Sequence, residues 1–229
     1  MGKILEQKTG KTSEKWKDSF LDARKNKIVK FMNKKRLDSS GLLNRIKTTE
    51  KICDAGCGDL SLLDQLKNLG YKNLYGFDID ESLINSSSEN SLSKNEFSDV
   101  KIGSLSEIPF DDKIFDAVII WGILHHIDPK EYKVVFDEVT RVLKPSGELF
   151  IVEPYPYFFW KAVGTILGFL GYLSLPKFKI YSRLLSAEYQ LFKDFSNNRK
   201  NINRIISEKY HQVISKWHTG FWIFSGLRQ

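Results

Sequence analysis

The sequence predicts an α/β protein: a Rossmann-like, doubly wound sheet of about seven strands, mostly parallel. N-terminal helices, a helical insertion before the last two strands and a C-terminal β-hairpin complete it. Three observations carry this reading. From residue 50 onward, short runs rich in Val, Ile and Phe alternate with stretches whose apolar residues recur at helical spacing. The stretch "KICDAGCGDLSLLDQL", residues 51–66, runs from a strand through a glycine turn into a helix. The residues of unusual chemistry fall where strands end: Asp54 to Gly58, Asp78, Ser104, Trp121 to His126 and Glu153. Right-handed crossovers place those ends along one edge, where open α/β sheets bind ligands.

Taken in order, residues 12–36 read as one or two helices with Trp16, Phe20, Ile28 and Phe31 as anchors among lysines, broken by Ser39-Ser40-Gly41. "EKICDAG" is the first strand, and "LSLLDQLKNLG" a helix stopped at Gly70. "NLYGFDID" is the second strand and "ESLINSSSEN" opens another helix. "DVKIGSL" and "IPFDDKIFDAVIIWGIL" carry the third and fourth strands. "PKEYKVVFDEVTRVL" is a helix with Pro129 near its start, and Val134, Val135, Val139 and Val142 are expected on its buried face. Leu143 to Gly147 ends it, and "GELFIVEP" is the fifth strand. After Glu153, "YPYFFWKAVGTILGFLGYLSLP" is the most apolar segment, with Gly164 and Gly168 at GxxxG spacing. Its uncharged run from Ala162 to Pro176 falls short of the roughly 20 residues that span a bilayer. It reads as a helix over the pocket or at a dimer contact, or else lying in a membrane interface. Residues 179–208 look helical and basic, and two strands around Thr219-Gly220 close the sheet.

The expected organisation is therefore a basic helical cap at 1–49 and a cofactor-binding core at 50–154. A helical lid at 155–208 and completing strands at 209–229 follow. Charge divides the chain in the same way. Residues 1–50 carry +8, residues 51–155 carry −9 and residues 156–229 carry +8, within a total of +7. Two basic ends folded over one face would attract anionic partners, whereas a merely solvated lysine-rich surface would not. Two cysteines exclude a disulfide scaffold, and "MGKILEQKTGKTSEKWKDS" lacks the apolar stretch of a signal peptide. The expectation is a cytoplasmic protein with peripheral membrane contact left open.

The glycine turn decides the ligand. A dinucleotide site would place a third glycine three residues after the second, but the run is Gly56-Cys57-Gly58-Asp59-Leu60-Ser61. Asp54 ahead of it would repel a pyrophosphate, which disfavours a nicotinamide dehydrogenase. Asp78 follows Gly58 by 20 residues, the spacing at which a carboxylate receives a ribose diol. Taken singly, Asp54 could cap a helix and Asp78 could belong to a turn. Taken together they want an adenosine with a cationic end, and S-adenosylmethionine meets both demands.

Four motifs, "ICDAGCGD", "LYGFDID", "IGSLSEIPFDDKIFDAVIIWGILHHI" and "VTRVLKPSGELFIVEP", then stand in order over residues 51–154, a little under half the chain. They resemble the class I S-adenosylmethionine-dependent methyltransferases, and among these the type 11 group related to ubiquinone and menaquinone biosynthesis methyltransferases. The resemblance implies that Asp54, Gly56, Cys57 and Gly58 line the methionine and ribose part of the cofactor. It implies that Asp78 holds the ribose diol, Ile79 packs on the adenine, Ser104 and Leu105 sit at the adenine edge, and Ile120 and Trp121 lie beside the cofactor. The family often has an Asp at the position of Ser104 and usually a glycine at that of Leu60. Weaker adenine recognition and a helix set slightly off the turn are therefore expected.

Methyl transfer is an in-line displacement, so the protein mainly supplies alignment and a dry pocket. Should the acceptor lose a proton, His126 and Glu153 are the candidate catalytic groups, with His125, Tyr155 and Tyr157 lining the substrate pocket. The resemblance includes "LHHI" as a structural signature, which favours a scaffold role for at least one histidine. No metal is expected, because Cys53 and Cys57 have no further Cys or His beside them in sequence. No Asn/Asp-Pro-Pro-aromatic run follows strand four and no cysteine stands at strands four or five, which disfavours exocyclic-nitrogen and pyrimidine C5 methylation. An aromatic lid among lysines suits a small apolar, lipid-linked or phosphate-bearing acceptor. An RNA methyltransferase using the basic ends, and a non-catalytic S-adenosylmethionine-binding module, are the alternatives.

Overall fold

In the computed structural model, residues 35–86, 97–172, 176–218 and 220–229 are described. The strands are β1 (Lys51–Ala55), β2 (Asn73–Asp78), β3 (Asp99–Ile102), β4 (Phe115–Trp121), β5 (Leu143–Pro154), β6 (Tyr210–His218) and β7 (Phe221–Arg228). The helices are α1 (Leu42–Arg45), α2 (Ser61–Asn68), α3 (Glu81–Asn85), α4 (Tyr132–Val142), α5 (Tyr157–Tyr172), α6 (Pro176–Asn197) and α7 (Arg199–Ser207). The anchors Trp16 to Phe31 lie outside the described residues.

All seven strands join one sheet in the order β3-β2-β1-β4-β5-β7-β6. The first five pair parallel, and β7 inserts antiparallel between β5 and β6. The order reverses between β1 and β4, the switch point at which a crevice opens beyond the strand ends. Alternation across the pleat divides the core. Ile52, Ala117, Ile119 and Phe150 face α2 with Leu63 and Leu66, while Cys53, Ala55, Val118, Ile120 and Ile151 belong to the cluster with Val135, Phe136 and Val139 of α4.

α4 corrects one expectation. Its buried face is Tyr132, Val135, Phe136, Val139 and Val142, whereas Val134 is 47% exposed. Neighbouring residues stand about 100° apart on a helix, so Val134 and Val135 cannot both face the sheet. On the same helix Glu138 accepts from the Ile108 N–H, and Arg141 donates to the carbonyls of Ile108 and Phe110. These bonds hold the loop after β3 against the core. Buried Glu148 on β5 accepts both short contacts from Arg45 Nε, 2.7 and 2.9 Å, fastening α1 to the sheet.

The apolar segment forms α5, which packs against the following helix α6. Their close approach uses Gly164 and Gly168: the Ser182 hydroxyl donates to the Gly164 carbonyl at 3.1 Å, and a Cβ on Gly168 would meet Ser182 Oγ at 3.0 Å. The GxxxG spacing thus serves contact within the chain. Replacing Gly168 with Leu is expected to part the two helices and cost about 1–3 kcal/mol of lid stability. Faster limited proteolysis within residues 157–197 would report it, and unchanged cleavage would refute it. On the outward side, Phe158, Ile166, Phe169 and Tyr172 are exposed. Among the described residues no helix is long and apolar enough to cross a membrane.

Candidate active site

The β1–α2 turn is built by its glycines. Gly56 at φ +82° and Gly58 at φ +50° take conformations that L side chains rarely adopt, and a Cβ on Gly56 would strike Ile123 at 2.9 Å. A Cβ on Gly58 or Gly122 would meet nothing within 4 Å, so open space adjoins both the β1 and β4 turns. The Gly56 and Cys57 N–H groups donate to the Phe77 carbonyl at 2.8 and 2.9 Å, tying the turn to β2. The Cys57 thiol is buried beside Gly76, which leaves its main chain for a ligand. Burial, then Asp54, pushes the thiol well above its ordinary value, so it is not a nucleophile at neutral pH.

Leu60 takes the left-handed conformation a glycine would, φ +61°, while its side chain is fully buried in the α2 cluster. The turn still closes, with the Leu60 N–H on the Cys57 carbonyl at 3.0 Å. Burial of the isobutyl group outweighs a left-handed strain of about 1–2 kcal/mol. Leu60→Ala is expected to lose about 2–5 kcal/mol, and Leu60→Gly about 1 kcal/mol less than that. Urea unfolding checks the order; a glycine variant less stable than the alanine variant would refute it.

Asp78 ends β2, almost fully buried. The Gly58 N–H donates to its Oδ2 at 2.9 Å and the Asp80 N–H to its Oδ1 at 2.8 Å, so each oxygen keeps acceptor capacity. Burial raises its pKa, against the lowering effect of these backbone bonds. Asp54, at the end of β1, is likewise buried. Ile79 stands 55% exposed beside Asp78, an apolar surface open to a flat ring. The Ser104 hydroxyl already exchanges a 2.9 Å bond with Ser106 Oγ and receives the Ser106 N–H. Leu105 and Ile120 point into the core, so only their backbone faces the edge, whereas Trp121 is half-buried against two clusters.

Beyond β4, Gly122 turns the chain into the short 3₁₀ segment Leu124–His126. Glu153, fully buried at the end of β5, holds this turn. Its Oε1 accepts the Ile123 and Leu124 N–H groups, both at 2.7 Å, and its Oε2 meets His125 Nδ1 at 2.7 Å. Both oxygens of this carboxylate are thus engaged by the turn and by His125. His125 also faces Glu188 of α6, Nε2 to Oε2 at 3.4 Å, and stacks edgewise on Phe192 at 4.9 Å. Burial alone would lower His125, but Glu153 and then Glu188 outweigh it and push it up to about 9. Burial, then the neighbouring His125, lowers His126 to about 4, and its Nε2 lies 3.6 Å from Glu188 Oε1. Tyr155 is fastened by its main chain, its N–H on the Gly220 carbonyl at 2.8 Å and its carbonyl under Trp217 Nε1 at 2.8 Å. The Tyr157 ring packs on Tyr189 of α6. Glu188 and Phe192 were not singled out from sequence. An acid within a strongly basic segment was the one local signal, since residues 156–229 hold three acids in all.

This sheet order, with a glycine turn after β1 and an acid after β2, defines the class I S-adenosylmethionine-dependent methyltransferase fold. Residues 53–151 match the family model described as "Methyltransferase domain". The demethylmenaquinone methyltransferase of Bacillus subtilis (strain 168) is 29% identical over 171 residues, covering 69% of this chain and 72% of the relative. The eEF1A lysine and N-terminal methyltransferase of Mus musculus is 26% identical over 143 residues, covering 62% of this chain but 18% of the relative. The crystal structure of magnesium protoporphyrin IX methyltransferase from Synechocystis PCC 6803 with bound SAH superposes with a TM-score of 0.59 at 18% identity, covering 94% of each chain. The chain is an S-adenosylmethionine-dependent methyltransferase, and S-adenosylmethionine is its cofactor.

Proposed function

We propose that the chain methylates a small acceptor of apolar, lipid-linked or phosphate-bearing character. The observation that supports this reading most is the lid: α5 and α6 bring Tyr157, Trp160, Tyr189 and Phe192 to the side of the sheet edge where the His125 turn lies. Such a lid suits an apolar acceptor and leaves the exposed face of α5 for a lipid surface. The Bacillus subtilis relative, named for demethylmenaquinone, agrees with this class of acceptor. The mouse relative matches over too small a part of its own length to speak for the acceptor.

When bound, the cofactor supplies a methyl group already activated on a sulfonium. The residues present fit it. Asp78 offers two buried oxygens for a diol, the Gly56 and Gly58 backbone can be approached closely, and Asp54 supplies negative charge near the cation. Ile79 offers an apolar face to the adenine, with the main chain of Ser104 and Leu105 at its edge. Ile120 and Trp121 close the β4 side. Tyr155 and Tyr157 exclude water from the acceptor. Glu153 and His125 keep the turn after β4 in place, and in this reading neither Glu153 nor His126 takes a proton.

The test is methyl transfer from radiolabelled S-adenosylmethionine into a fractionated cell extract. Label in the organic-solvent fraction is the expected result, and turnover should rise with anionic liposomes. Label confined to protein or RNA would overturn the acceptor class, and no label in any fraction would favour a binding module.

A further inference from the structure

We infer that His125, His126 and Glu188 form a binding site for a divalent transition-metal ion of the zinc class. A ligand atom from each of the three lies within 4.8 Å of the others. The edges to the carboxylate are 3.4 Å, from His125 Nε2 to Oε2, and 3.6 Å, from His126 Nε2 to Oε1. Ligands held about 2.0–2.2 Å from a common ion in tetrahedral geometry stand roughly 3.3–3.6 Å apart; each histidine meets a different oxygen of Glu188 at about that spacing, and one ligand atom from each residue fits within 4.8 Å. Both contacts are long for hydrogen bonds, and His125 Nε2 is buried without a hydrogen-bond partner.

The surroundings supply what a metal-binding imidazole requires. His125 Nδ1–H donates to Glu153 Oε2 at 2.7 Å, which fixes the ring with Nε2 directed at Glu188, and an ion bound there would displace the Nε2 proton. Glu153 is itself fixed by the Ile123 and Leu124 N–H groups, and Phe192 holds the His125 ring from the side. Two carboxylates thus converge on two imidazoles in a buried setting, and one dication balances both charges. Two nitrogens and one carboxylate suit zinc, cobalt or iron rather than magnesium or calcium. Three protein ligands leave one tetrahedral position for water or an acceptor oxygen. Because His125 and His126 follow β4 while Glu188 belongs to α6, the ion would clamp the lid to the sheet edge. Cys53 and Cys57 lie elsewhere, both buried in apolar clusters.

The experiment uses the full chain, stripped with chelator and titrated with Co²⁺ alone, then with Zn²⁺ as competitor. The expected result is one Co²⁺ per chain with the visible absorption of a four-coordinate ion, displaced by one equivalent of Zn²⁺. Glu188→Gln and His126→Ala should each weaken binding at least tenfold, and Glu153→Gln, which reaches the ion through His125 and the turn it holds, by about 10–100-fold. A wild-type chain that shows no binding at tenfold molar excess of Co²⁺ would overturn the site. So would binding that both ligand variants leave unchanged, since the ion would then lie elsewhere. The first outcome needs no variant, so it stands even where a substitution unfolds the lid.

Discussion

Asp78→Ala is expected to weaken S-adenosylhomocysteine binding by at least about a hundredfold while leaving the sheet folded. Two hydrogen bonds from a ribose diol to a charged acceptor contribute about 1.5–3 kcal/mol each, and a factor of ten corresponds to about 1.4 kcal/mol. The free chain already uses one lone pair of each Asp78 oxygen on the Gly58 and Asp80 N–H groups, which aims the remaining capacity outward. Asp78→Asn separates charge from shape. It keeps one acceptor oxygen but turns an NH₂ toward a backbone N–H, so affinity should fall nearly as far. Calorimetric titration measures both, and a dissociation constant within threefold of wild type in Asp78→Ala would exclude the placement of the ribose here. Burial raises the Asp78 pKa above 3.8, which gives a pH signature of known sign. Stability of the free fold from this group is fully present below the unfolded value and is lost as pH rises through the raised folded value. Cofactor affinity runs the other way. The diol needs the carboxylate, so affinity should decline on acidification through that raised value, before ordinary carboxylates titrate. Affinity that stays flat with pH there would separate Asp78 from the ribose.

How far the fold could be read ahead depended on whether its cause was local. β1 to β5 and the turn after β1 announce themselves through Val/Ile/Phe runs closed by Gly or Asp, and the sheet places them as expected. Val134 was misplaced because four valines fall in α4 and the apolar stripe is set by Tyr132 and Phe136, one step around the helix. Leu60 was visible as a departure from glycine, but its left-handed backbone and its burial both depend on packing against α2. The site is legible in the same uneven way. Asp78 and the glycines act through their own backbone neighbourhood. Glu153 was read as a potential base because an acid at a strand end is what sequence shows, whereas its three partners come from the turn after a different strand. Glu188 lies far along the chain in a basic helix, and only the folding of α6 over β4 brings it to the histidines.

The second large effect follows from that commitment of Glu153. Glu153→Ala is expected to lower stability by about 3–5 kcal/mol, because it strands two buried N–H donors and the His125 imidazole at once. For a chain of 229 residues each kcal/mol moves the melting temperature by about 2–4 °C, so a drop of about 6–20 °C is expected. Glu153→Gln retains an oxygen for the Ile123 and Leu124 N–H groups but presents an NH₂ to His125 Nδ1, and should lose about half as much. The pair of variants separates a positioning group from a general base. A base removed from the reacting centre would leave melting unchanged in Glu153→Gln and lower kcat alone. A positioning group would lower stability in the graded order Ala before Gln, with the Gly122–His126 backbone exposed to faster hydrogen exchange in both. The buried carboxylate with no solvent contact and three short bonds predicts the graded order; equal melting of Glu153→Gln and wild type would return Glu153 to the chemistry.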